Sequence, residues 1–154
     1  MIRFLKLLFV FGYISLLLYT VFFARRRNTI IRENVEQNIN WIPFKSIANN
    51  FYANILNGDS FVKKWFFFTN VFGNIFLFIP FPLVCFFLGF KLRNGSIEII
   101  GVVLSILIEA IQGLFVVGIP DIDDVLLNAF GIYIGIWVLH ISKTKIIIRT
   151  DNRL

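Results

Sequence analysis

Residues 65–90, WFFFTNVFGNIFLFIPFPLVCFFLGF, decide the fold: 26 positions pass without a charged side chain. About 20 apolar residues in a helix already cross the hydrocarbon of a bilayer, so this stretch reads as a membrane span with length to spare. Pro80 and Pro82 lie deep within it. Each lacks a backbone donor and crowds the preceding turn, which predicts a kink or a broken helix.

Working outward, three further stretches are long and apolar enough to cross a membrane. Residues 7–24 are uncharged between Lys6 and Arg25; at 1.5 Å per residue they reach roughly 27 Å, enough for a first span. The exit toward Arg25, Arg26 and Arg27 lacks a small-x-small cleavage pattern, which favours an uncleaved anchor over a signal peptide. Downstream, the polar turn around Lys91, Arg93, Asn94 and Gly95 leads to a third span at 96–117. The short connection Gly118-Ile119-Pro120-Asp121 then leads to a fourth span from about 122 to 142. Between the first two spans the composition turns polar, with Ile47, Phe51 and Ile55 at helical spacing and Asn57-Gly58-Asp59 as a stop. A short helix lying on the membrane surface fits that pattern.

The expected fold is therefore all-α: a polytopic integral membrane protein of four transmembrane helices with a surface-lying helix between the first and second. Its divisions are an anchor at 1–24, a polar extramembrane segment at 25–64, a three-helix membrane region at 65–142 and a basic tail at 143–154. Composition agrees, since 58% of the 154 residues are hydrophobic and 16% charged; one soluble core of this size could not bury that surface. The formal charge of +6 sits beside apolar runs. Anionic lipid and the positive-inside effect account for it, and nucleic acid is not an expected partner. Cys85 stands alone in an apolar stretch, so neither a disulfide framework nor a thiolate cluster is available.

Four crossings put both termini on one side. Arg3, Lys6, Lys91, Arg93, Lys143, Lys145, Arg149 and Arg153 would share it, which places the termini in the cytoplasm of a cell membrane. The three arginines after the first span argue the other way.

Antiparallel threading then gathers polar residues at one membrane face. Asn70 and Asn74 lie in the first half of the second span, Glu109 and Gln112 in the second half of the third, and Asp121, Asp123, Asp124 and Asn128 at the start of the fourth. The pairs Asn70 and Asn74, Glu109 and Gln112, and Asp124 and Asn128 are three or four apart, so each shares a helix face. Gly131 and Gly135 continue the last stripe as a small-xxx-small packing pattern. An ionised carboxylate at membrane depth costs about 2.5 to 3.5 kcal/mol on insertion scales, so Glu109 needs partners, a proton or a wet cavity. Two readings compete: hydrogen-bonded glue between helices, or a pocket open to one face. For the acidic run, the structural account is that one Asp caps the fourth helix and the others favour its positive end. Oxygen-ligand chemistry would also let Asp123, Asp124 and Glu109 hold a divalent ion, but spacing alone does not make a metal site, and neither metal nor cofactor is expected. His140, near the far end of the fourth span, fits an interfacial position. No Ser-His-Asp, Cys-His or phosphate-cradling motif is present, so a non-enzymatic role is favoured.

Several blocks together resemble the VanZ-like membrane proteins. They are Asn40-Trp41-Ile42-Pro43-Phe44, Asn70-x-x-Gly73-Asn74 leading to Phe78-Ile79-Pro80-Phe81, Glu109-x-x-Gln112, and Asp121-Ile122-Asp123-Asp124-x-x-x-Asn128-x-x-Gly131-x-x-x-Gly135. The resemblance implies a small bacterial cell-envelope protein, in a family named for a member associated with low-level resistance to teicoplanin. It implies no settled reaction. Members usually carry an Arg where Ile119 and Pro120 stand and a Gly where Pro82 stands. An Arg paired with Glu109 or an anionic ligand would be missing here.

The expected function is recognition of an amphiphilic or lipid-linked ligand in the one-sided polar layer, altering susceptibility to glycopeptides or lipoglycopeptides. The partners it implies are the bilayer and a lipid-linked cell-wall precursor or glycopeptide. The alternatives are a membrane-embedded enzyme acting on lipid-linked head groups through Glu109 with Asp123 and Asp124, and a helper subunit or homo-oligomer packed through Gly131 and Gly135.

Overall fold

The computed structural model describes residues 2–24, 38–58, 60–90 and 93–151. Arg25, Arg26, Arg27, Lys91 and Arg153 lie outside the described residues. Among the described residues six α-helices follow one another: α1 (Ile2–Tyr19), α2 (Lys45–Phe51), α3 (Phe61–Phe78), α4 (Phe81–Phe87), α5 (Asn94–Leu114) and α6 (Ile122–Asp151). Wider π-helical turns extend α1 over Thr20–Ala24 and α2 over Tyr52–Leu56. Among the described residues four stretches are long and apolar enough to cross a membrane: Arg3–Phe23, Phe61–Phe87, Gly95–Leu114 and Ile122–Ile141. The fold class is thus the expected one, a multi-pass helical membrane protein. Phe11, Phe76, Phe130 and Trp137 face outward from these helices, as lipid-facing side chains do.

The second span is broken rather than kinked. Helix α3 ends at Phe78, Pro80 forms the cap, and α4 starts again with Pro82 in its first turn, where a missing N–H breaks no intrahelical bond. Beyond the fourth span α6 continues to Asp151, so helix runs on through the stretch assigned above to a tail.

Hydrogen bonds and close approaches set the packing. Ser105 meets Asn128 and Glu109 meets Asp121, so α5 and α6 run antiparallel. Gly131 and Gly135 of α6 lie over the carbonyls of Ile75 and Ile79, so α6 runs parallel to the broken span. A Cβ added at Gly131 would stand 2.3 Å from the Ile75 oxygen, and one at Gly135 2.2 Å from the Ile79 oxygen. Neither position admits a side chain without moving backbone. The buried Pro82 ring also rests on Gly135. The core joins Val10 and Tyr13 of α1 to Phe78, Phe81, Val84, Cys85, Ile108 and Ile132.

Candidate functional site

The polar layer sits where α6 begins, against the second halves of α3 and α5. The first turn of α6 is satisfied by the protein's own acceptors. Asp121 donates its N–H to Glu109 Oε2 at 3.0 Å, Ile122 to the Asn40 carbonyl at 3.0 Å, and Asp123 to Asp121 Oδ1 at 2.9 Å. These N–H groups would otherwise be orphans of the helix end and a ready anion site. Here they are occupied.

Asp121 therefore caps its own helix, as the sequence suggests, but Asp123 does something else. Its carboxylate, 1% exposed, accepts from the backbone N–H of Phe44 and, at 3.0 Å, from that of Ile47. It caps α2 from across the fold. The segment preceding α2 is fixed beside it: Asn40 donates its N–H to the Pro120 carbonyl at 3.0 Å and its side-chain amide to Asp121 Oδ1 at 2.7 Å. Over 38–58, the polar segment between the first two spans is a strap docked on the acidic run. Phe44 reaches its position with φ 65°, and Val116, in the connection between α5 and α6, has φ 55°. Left-handed backbone is uncommon for a bulky or β-branched residue and is held only by its surroundings. For Phe44 that hold is the Asp123 carboxylate.

Deeper in, Asn74 donates to Asp124 Oδ1, and Asn128 donates to Ser105 Oγ at 2.7 Å. Gln112 donates to the Val21 carbonyl at 3.4 Å, which ties the end of the first span to the same layer. Asn74, Glu109, Gln112, Asp123, Asp124 and Asn128 are all buried and Asp121 is half-buried. Asn70 is half-buried one turn before Asn74 and is not drawn into this set of hydrogen bonds. Within this layer two buried oxygens have no partner among the described residues, Gln112 Oε1 and Asn128 Oδ1; the Tyr13 hydroxyl, outside it, is a third. No group of three His, Cys, Asp or Glu side chains among the described residues is placed to hold a metal ion.

Two members of the layer are not among the sequence-derived candidates. Ser105 stands four residues before Glu109, so helical phase alone could have found it. Asn40 is 81 residues from its partner Asp121, and no local pattern encodes that pairing. Ser105→Ala is expected to cost about 0.5 to 2 kcal/mol, because it strands the Asn128 amide in a buried site. Thermal unfolding in detergent checks this, and adding Asn128→Leu should restore most of the loss by removing the stranded group.

Comparison with known proteins agrees with this architecture. The family model VanZ/LLP1 matches residues 9–143. Protein VanZ of Enterococcus faecium is 27% identical over 140 residues, covering 85% of this chain and 71% of its own length. No solved structure matches the chain. With the match running from the first span to the end of the fourth, the chain belongs to the VanZ/LLP1 family.

Proposed function

We propose that the polar layer receives the head group of an amphiphile at one face of a bacterial cell membrane, and that this recognition alters susceptibility to teicoplanin-type glycopeptides or lipoglycopeptides. The observation that carries the reading is the pair of buried, unpartnered amide oxygens of Gln112 and Asn128. They flank the buried carboxylates Glu109 and Asp124 at helical spacing. Helix packing alone leaves buried acceptors unfilled at a cost, whereas a site uses them. The docked strap adds an amphipathic edge, with Trp41, Phe44 and Tyr52 exposed beside the layer, suited to the membrane interface.

A binding role suits Glu109 better than a catalytic one, since one of its oxygens is engaged by the Asp121 N–H. An enzyme acting on lipid-linked head groups would instead show turnover by the purified protein. In an expressing strain, deletion and Glu109→Ala are both expected to lower teicoplanin tolerance to that of cells lacking the protein. Unchanged susceptibility with unchanged lipid binding would overturn the proposal.

A further inference from the structure

We infer that the group received between α5 and α6 is a primary ammonium, not a phosphate; the inference rests on the head-group reading above and names the chemistry of that ligand. The unfilled valences identified in the layer are those of acceptors. Gln112 is 2% exposed and Asn128 3% exposed, and in each the amide nitrogen has a partner while the oxygen has none among the described residues. An oxygen so placed can take only a donor.

Spacing then selects the donor. Gln112 follows Glu109 by three residues on α5, and Asn128 follows Asp124 by four on α6. Rises of 1.5 Å per residue put each amide about 4.5 to 6 Å along its helix from its carboxylate. Two donors of one tetrahedral ammonium, with charge-assisted bonds of about 2.8 Å each, reach oxygens roughly 4.6 Å apart, which matches the Glu109 to Gln112 interval directly and the longer Asp124 to Asn128 interval once the side chains lean together. A carboxylate has lone pairs for several partners, so Glu109 and Asp124 can accept the ammonium in addition to the bonds they already make. Gly118 lies over Gln112, where a Cβ would come within 3.3 Å of Oε1, so no side chain at that position covers the oxygen.

A phosphate fits poorly on two counts. It offers acceptors where acceptors are already unfilled, and the N–H groups that would greet it at the start of α6 are given to Glu109, Asn40 and Asp121. Four carboxylates in one layer add electrostatic opposition to an anion.

The test uses the full chain in nanodiscs containing phosphatidylethanolamine and phosphatidylglycerol, with retained lipid read by native mass spectrometry. Phosphatidylethanolamine should be retained about tenfold over phosphatidylglycerol, a difference of 1.4 kcal/mol. Gln112→Leu and Asn128→Leu should each reduce that preference, and free ethylammonium should compete if the ammonium alone is the recognised group. If competition fails while the lipid preference stands, the ammonium is recognised only on a lipid. Lipid retention that depends on Glu109 but shows no amine preference overturns the ammonium inference and leaves the head-group reading standing. Retention that ignores Glu109→Ala overturns both. Unfolding curves of the two leucine variants show whether they are folded. Should one fail to fold, the other and the competition with the unsubstituted chain decide.

Discussion

Asp123→Ala is expected to free the strap over 38–58 from the membrane helices. Two backbone donors, those of Phe44 and Ile47, point at this one carboxylate, and a hydrogen bond to a charged group contributes about 1.5 to 3 kcal/mol. Its loss also removes what holds Phe44 in left-handed backbone. A combined local cost near 3 kcal/mol corresponds to amide exchange at Phe44 and Ile47 faster by about 100-fold. Hydrogen exchange followed by NMR in micelles reads both positions. The Asn40 bonds to Pro120 and Asp121 would keep the start of the strap in place, so acceleration should be weaker at Asn40. Exchange at Phe44 and Ile47 equal to that of the unsubstituted protein would show that the carboxylate is not what fixes the strap.

Gly131→Ala and Gly135→Ala are expected to destabilise by about 2 to 3 kcal/mol each, at the upper end of overpacking effects. The neighbour met by each new Cβ is a backbone carbonyl of the broken span, at 2.3 and 2.2 Å. A flexible side chain could move aside; a carbonyl carries its helix with it. Gly73 supplies the control, because a Cβ there meets nothing within 4 Å. Inside helix α3, Gly73→Ala should be neutral or stabilising by up to about 1 kcal/mol. Thermal unfolding of the three variants in one detergent gives the comparison. Equal midpoints for all three would mean that α6 does not approach α3 and α4 this closely.

The spans were legible because uncharged runs of the length of residues 65–90 have one economical environment. The broken helix followed from Pro80 and Pro82 by elementary backbone chemistry. Helical phase and antiparallel threading also predicted that Glu109 and the acidic run would stand at one depth, and the bond from Asp121 to Glu109 places them together. What sequence periodicity could not supply was direction across the fold. Asp123 could be placed at the start of its own helix, yet its oxygens serve α2, 76 to 79 residues away. Asn40 belongs to the layer through a parallel bridge to Asp121, a contact between two irregular segments that no helical pattern describes. Asn70 shows the converse. It shares a face with Asn74, but one turn along α3 is enough to leave it out of the network.

The cytoplasmic termini expected from the positive-inside rule put the proposed head-group site at the outer face of the membrane, and side-specific labelling tests this most directly. With Cys85 replaced by alanine, single cysteines are placed at Ser60, exposed just before the start of α3, and at Asn152, near the C-terminus of the sequence. Gly58 is unsuitable because a Cβ there would meet the Asn54 carbonyl at 2.2 Å. In intact cells an impermeant maleimide is expected to label Ser60→Cys, with Asn152→Cys reacting only after permeabilisation. Labelling of Asn152→Cys in intact cells, with Ser60→Cys protected, would put the layer in the cytoplasm and contradict direct contact with an extracellular glycopeptide.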